Sequence, residues 1–204
     1  MKDITSRPTN YAVLELFLKR VYQSKKVDFF PLFMQALSKG DKRTMRLLVK
    51  YQTNINVTGK KPPLVLMAEQ ENNDMIRFLL EVGANPNLAY FGQYLIHRAV
   101  ANRHVLITRV LLNAGASPNS VDDQGNTPLL TALQFRKLDL AQYLLQKGAK
   151  VNVANNRQQT PLDVALSKGL RKIAARMRGA GALTSVELGS AGSLRVQLVN
   201  AVQK

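Results

Sequence analysis

A chain of 204 residues that is 46% apolar is long enough for one compact domain or one repeat array, and too apolar for global disorder. The absence of cysteine excludes a disulfide framework, a thiolate metal site and a cysteine nucleophile. The formal charge of +16 points towards anionic partners, but it is uneven: residues 1–56 carry eleven Lys/Arg against four acids, 57–92 three against four, 93–163 eight against four, and 164–204 seven against one.

The first residues, Met1 to Thr5, lack the apolar core of a signal peptide. No stretch approaches the roughly 20 apolar residues of a membrane span, and the most apolar run, Tyr11 to Leu18, is interrupted by Glu15. These features predict a soluble, cytoplasmic protein with no transmembrane segment. A secreted or periplasmic location is the alternative if the sequence as given has been trimmed. Residues 10–24 predict an amphipathic helix opened by Thr9 or Asn10, with Tyr11, Leu14, Leu18 and Val21 on one face. Segment 1–27 is therefore read as an N-terminal capping helix.

Beyond it the chain repeats itself every 32 or 33 residues. Leu79-Leu80, Leu111-Leu112 and Leu144-Leu145 keep that spacing, as do Gly83-Ala84, Gly115-Ala116, Gly148-Ala149 and Gly181-Ala182. Asn56, Asn87, Asn119 and Asn152 follow a similar beat, and Thr127-Pro128-Leu129 recurs as Thr160-Pro161-Leu162. Independent landmarks in one register mark a repeat architecture, with units at about 28–57, 58–89, 90–121, 122–154 and 155–182. Each unit reads as a turn and two short helices. In the clearest copy Asp122-Asp123-Gln124-Gly125 is the turn, Thr127 caps the first helix and Pro128 opens it. A second helix over about Leu138 to Gln146 carries Leu140, Ala141, Leu144 and Leu145 at helical spacing and ends before Gly148. Neither helix can bury its apolar face alone, so neighbouring units must stack.

This pattern resembles the ankyrin repeat, whose T-P-L-H-x-A signature is matched by Thr127-Pro128-Leu129 with Ala132 and by Thr160-Pro161-Leu162 with Ala165. The third unit, Tyr94-Leu95-Ile96-His97-Arg98-Ala99, keeps the histidine and loses Thr-Pro. Pro62-Pro63-Leu64 and Phe30-Pro31-Leu32 are degraded copies. The resemblance covers residues 28–182 and implies an all-α ankyrin-repeat solenoid of five repeats, with a capping helix and a C-terminal extension at 183–204. In the fifth unit Met177-Arg178 replaces the leucine pair, as suits an outer cap. In the extension, Val186, Leu188, Leu194, Val196 and Leu198 alternate around Gly189-Ser190-Ala191-Gly192. That alternation suggests a β-hairpin, with a short helix capped by Ser193 as the other reading.

No catalytic constellation is evident, and no cofactor or metal is expected. His97 sits where the resemblance implies a structural histidine bonding between turns, and His104 falls at an inter-helix turn. Two separate histidines make a poor metal site. Gly179-Ala180-Gly181 follows a helix rather than a strand, and Gly59-Lys60-Lys61 lacks phosphate-loop spacing. The reading is a non-enzymatic protein-binding module.

The resemblance places turn tips and first-helix faces on an extended concave surface. Tyr90, Phe91, Gln93 and Asn102 of the third unit fall there, with Asp123, Gln124, Asn126, Gln134 and Phe135 of the fourth and Arg157 of the fifth. Tyr90, Phe91 and Phe135 stand out as aromatics at positions that are usually polar or small, and so as candidate hot spots. A second feature is basic: Lys42, Arg43, Arg46 and Lys50 in the first unit, and Lys168, Arg171, Lys172, Arg176 and Arg178 in the last. Expected, then, is a monomer that occludes a protein partner as an inhibitor, immunity protein or effector, with secondary contact to an acidic surface. Electrostatic binding to nucleic acid or anionic membrane through the basic terminal repeats is the alternative; nucleic acid is disfavoured because no recognised binding module accompanies the charge.

Overall fold

The computed structural model describes residues 10–22, 27–57 and 60–191, which fall into two compact units, 1–85 and 86–204. The first unit contains α1 (Tyr11–Tyr22), α2 (Phe30–Ser38), α3 (Lys42–Lys50), α4 (Pro63–Glu69) and α5 (Asn73–Glu81). The second opens with β1 (Ala89–Tyr90) and β2 (Gln93–Tyr94). It continues through α6 (Leu95–Ala101), α7 (Val105–Asn113), α8 (Pro128–Gln134), α9 (Leu138–Gln146), α10 (Pro161–Ser167) and α11 (Arg171–Gly179). Among the described residues the architecture is all-α apart from this one small hairpin.

Helices of seven to nine residues are too short to persist alone, so their ends and one face must be satisfied by neighbours. Polar caps fix the starts. Asp41 accepts from the Thr44 amide at 3.0 Å, Asn72 from the Met75 amide at 3.0 Å and Thr127 from the Leu130 amide at 3.3 Å. Thr160 and Asp163 form a reciprocal capping box. Proline at the first position of α8 and α10 removes an amide that would otherwise have no helical acceptor.

In the first unit α2 pairs with α3, α4 pairs with α5, and α1 packs against α3. Leu18, Phe33, Met45 and Leu48 are fully buried. Tyr11 ties α1 to the base of α3 by donating its hydroxyl to Asp41 Oδ1 at 3.3 Å, and the Arg43 guanidinium lies 4.2 Å from the Tyr11 ring centre. In the second unit α6, α8 and α10 lie side by side in sequence order, each paired with the helix that follows it. Ile96, Leu111, Leu129, Leu130, Leu133 and Leu140 form its interior.

One side-chain device recurs in both units. The Asn56 amide donates to the Gly83 carbonyl at 3.1 Å and accepts from the Asn85 amide at 2.7 Å. Asn87 does the same to Gly115 and Ser117, Asn119 to Gly148 and Lys150, and Asn152 to Gly181 and Leu183, at 2.7–3.2 Å. Each asparagine satisfies one carbonyl and one amide at the end of a second helix, where helical partners have run out.

The C-terminal extension departs from the hairpin expectation. Residues 185–191 are helical, so Val186 and Leu188 lie on a helix and not on a strand. The reason is a second capping box. The Thr184 amide donates to Glu187 Oε2 at 2.7 Å while Thr184 Oγ1 accepts from the Glu187 amide at 3.3 Å. The Ser185 amide also reaches Asp163 Oδ2 at 2.9 Å and Arg178 pairs with Glu187 at 3.2 Å, which fastens this helix to the fifth repeat. The remainder of the expected hairpin, Leu194, Val196 and Leu198, and the alternative cap Ser193 lie outside the described residues. Among the described residues no helix is long and apolar enough to cross a membrane.

If the asparagine bridges hold successive repeats together, Asn119→Ala should lower the unfolding free energy by about 1–2 kcal/mol, two hydrogen bonds at roughly 1 kcal/mol each. Chemical denaturation measures this, and an unchanged midpoint would show the bridge to be dispensable.

Candidate protein-binding site

The second unit carries a cleft of about 310 Å³ between the turn of the fourth repeat and the first helices of the third and fourth. Its floor is built from His97, Asn126 and Thr131, all buried, and its walls include Gln93, Asp123, Gln124, Gln134 and Phe135. Six of the sequence-predicted surface residues thus meet in one place. Tyr90, Phe91, Asn102 and Arg157 do not line it.

The fourth-repeat turn owes its shape to Asp122, whose Oδ1 accepts from the amides of Gln124 at 2.9 Å and Asn126 at 2.8 Å. Asn155 makes the same turn one repeat later, accepting from Arg157 and Gln159 at 3.0 Å each. Gly125 sits at φ +73°, and a Cβ there would come within 2.9 Å of the Asn156 backbone nitrogen, so glycine is required at this point.

Asn126 corrects the expectation of a partner-facing residue: it is 3% exposed. Its amide nitrogen donates to Asp122 and Gln124, and its oxygen accepts from Gln134 at 3.1 Å and Asn155 at 2.9 Å. It is the hub that joins two turns, with no capacity left for a ligand. Gln134 is half-buried and spends an amide proton on that hub. Phe135, Asp123, Gln124, Asn102 and Arg157 are exposed.

His97 Nε2–H is shared between the carbonyl and hydroxyl oxygens of Ser120, each at 3.1 Å. Burial pushes its pKa below the ordinary value, against the opposing pull of the Asp122 carboxylate and the Ser120 bond, so the ring is neutral at pH 7. It joins turns as a structural histidine. His104, half-buried, accepts through its carbonyl from the Thr108 hydroxyl. No group of three or more His, Cys or carboxylate residues suited to a metal occurs among the described residues.

In the third repeat Ala89 stands where Asp122 and Asn155 stand later, and it has no oxygen to organise a turn. The loop instead closes as a two-stranded ladder pairing Ala89 with Tyr94 and Tyr90 with Gln93. Its two central residues, Phe91 at φ +50° and Gly92 at φ +73°, both have the positive φ of a type I′ turn. Phenylalanine is a poor choice for that conformation, at a cost of about 1 kcal/mol or more. Its ring is 85% exposed, with the half-buried Tyr90 ring 4.4 Å away. The sequence signal for this hairpin is Tyr90-Phe91-Gly92-Gln93 itself, two aromatics leading into a glycine.

The N-terminal basic cluster is not a free patch. Lys42 pairs with Asp74 at 2.6 Å, Arg46 with Glu81 at 2.8 Å and Lys50 with Glu15 at 2.7 Å, each partner on a neighbouring helix. The hydrogen bond and charge of Lys50 hold the Glu15 carboxyl below its ordinary pKa. Exposed pairs of this kind add little stability, but they compensate the charge, and Arg43 is stacked on Tyr11. At the other end Arg178 is paired with Glu187, while Lys168, Arg171, Lys172 and Arg176 are exposed.

A family model described as ankyrin repeats (3 copies) matches residues 33–122 and 96–182. Mouse (Mus musculus) diacylglycerol kinase iota is 30% identical over 132 residues, which is 61% of this chain and 12% of the kinase. Its human (Homo sapiens) counterpart is 28% identical over 137 residues, 63% of this chain and 13% of the kinase. Mouse ankyrin repeat and MYND domain-containing protein 1 is 29% identical over 104 residues, 48% of this chain and 11% of that protein. The chain therefore spans about an eighth of the length of these curated relatives.

Two outcomes follow from the local chemistry. Because the folded state lowers the His97 pKa, its contribution to stability is present above the unfolded value of about 6.5 and is lost as pH falls below it. Thermal melts from pH 7.5 to 5 should show this loss, and His97→Gln should flatten the profile. Phe91→Asn should raise stability by about 1 kcal/mol, since Asn-Gly suits a type I′ turn; a lowered melting midpoint would contradict the strain assigned to Phe91.

Proposed function

The chain belongs to the ankyrin-repeat family, and from that premise we propose that it is a non-catalytic binding protein that occludes a surface of a protein partner, as an inhibitor or effector does. Ankyrin repeats form protein–protein interaction modules, and the family is generally non-enzymatic. The kinase activity in the name of the mouse and human relatives belongs to proteins of which this chain covers about an eighth.

The observation that carries the reading is the convergence of Phe135, Asp123, Gln124 and Gln93 on one cleft with a buried polar floor, beside a hairpin that holds Phe91 out into solvent. Phe135 is 55% exposed although it ends a helix whose other apolar residues are buried. An aromatic side chain displayed in this way leaves half its surface in water, and a partner that covers it recovers apolar contact area. Asp123 and Asp122 are the two carboxylates at a cleft on an otherwise strongly basic chain, and the Asp122 carboxylate is consumed by its turn. The fitting partner segment sets an apolar side chain against Phe135 and a hydrogen-bond donor or cation against Asp123.

The test is affinity capture from source-cell lysate with nuclease present, at about 150 and 500 mM salt, across which exposed charge pairs are progressively screened. A stoichiometric protein retained at both, and weakened about thirtyfold or more by Phe135→Ala and by Phe91→Asn, is the expected result. A partner captured equally well by both variants would remove the cleft and hairpin from the interface.

A further inference from the structure

The turn joining the two helices of every repeat holds one residue in the left-handed conformation at the same place: Gly40, Glu71, Arg103, Arg136 and Gly169, at φ 53–68°. Glycine occupies this conformation without steric cost, and side chains other than Asn and Asp rarely do. In the unit 86–204, both departures from glycine are arginine. Arginine thus stands at two consecutive turn tips where the backbone favours a residue with no side chain.

The three turns of this unit are neighbours along one edge. Arg136 Nη1 donates to the Lys168 carbonyl at 2.7 Å, and Arg103 Nε lies 4.0 Å from Asp139 Oδ2. The bond to a neutral carbonyl leaves the Arg136 charge uncompensated. Lys137 belongs to one of these turns and Arg171 and Lys172 open the helix after another, so the edge carries Arg103, Arg136, Lys137, Lys168, Arg171 and Lys172 beside the carboxylate Asp139. The contrast is with α3, where Lys42, Arg46 and Lys50 are matched to acids of neighbouring helices.

Aliphatic side chains are displayed among these cations. Leu106 is 55% exposed and Leu138 39% exposed, each within the first turn of a second helix. Packing does not require the leucine at 106, because Asp139 occupies the matching position one repeat later. Cations projecting beside exposed leucines suit a surface that is anionic at its face and apolar just beneath it. A nucleic-acid backbone would use the cations and leave the leucines in water.

We propose that the helix–helix turn edge of residues 86–204 docks on an anionic lipid bilayer, with Arg103, Arg136, Lys137, Arg171 and Lys172 on the headgroups and Leu106 and Leu138 in the headgroup–acyl boundary. The proposal is independent of the protein-binding cleft, and Phe135, which borders both, is left unchanged in its test.

The experiment is co-sedimentation of the full chain, with nuclease at about 100 mM salt, with phosphatidylcholine vesicles either plain or containing about 30% phosphatidylserine. Binding is expected to the anionic vesicles alone. Arg103→Gly combined with Arg136→Gly should reduce it about 25-fold, as expected for two surface cations. Its melting midpoint should be maintained, since glycine is the resident of this turn at positions 40 and 169. Leu106→Gln, which changes no charge, should weaken vesicle binding several-fold, and both variants should still capture the protein partner. Absence of wild-type binding to anionic vesicles overturns the proposal, as does wild-type binding by either variant. Loss with the arginine pair alone, accompanied by equal competition from duplex DNA, would identify a general polyanion edge and overturn the lipid assignment.

Discussion

The asparagine amides at Asn56, Asn87, Asn119 and Asn152 set the condition on which the rest of each unit rests. A helix of nine residues ends with carbonyls that have no helical donor, and in an array of such helices these ends recur every repeat. One amide side chain supplies a donor to the glycine carbonyl and an acceptor to an amide two residues further on, so the end of one repeat is bound by the loop of the one before it. Because the same pair of bonds is made each time, the repeat spacing and the loop path are coupled. A loop that moved would expose two polar groups at once, and the penalty for leaving such groups unpaired exceeds what the bonds contribute.

Given that frame, the turns on the other side of the helices differ according to one residue. Asp122 and Asn155 organise their turns through a side-chain oxygen, and Asn126 and Asn155 then bond to each other across repeats. Ala89 cannot, and the third repeat turns through a backbone ladder with a phenylalanine at its tip. Exposed polar residues and residues of rigid support are thus separated by a few positions. Asn126 is wholly committed to support, and Asp123 beside it has its carboxylate exposed.

Most of the fold was legible in the sequence because its signals are local and repeated. Thr-Pro-Leu marks two helix starts, and the glycine-alanine pairs mark helix ends. The asparagine beat anticipated a structural position without revealing its bonds, which depend on which carbonyl lies opposite. Two errors have a common cause. Register alone places Asn126 at the surface, and it makes a patch of Lys42, Arg46 and Lys50 because their partners, Asp74, Glu81 and Glu15, lie 32 to 35 residues away. In the extension, the alternation of Val186 and Leu188 points to a strand, but the capping spacing of Thr184 and Glu187 decides the outcome.

Asp163 serves two structures with one carboxylate. Oδ2 accepts from the Thr160 amide to start α10 and from the Ser185 amide to hold the helix at 185–191. Hydrogen bonds from both outweigh the desolvation that would otherwise raise its pKa, and the group is held below its ordinary value. A repeat array frays from its ends, where each repeat has a neighbour on one side only. Here the helix at 185–191 cannot detach without also loosening the start of α10, so the two open together rather than residue by residue.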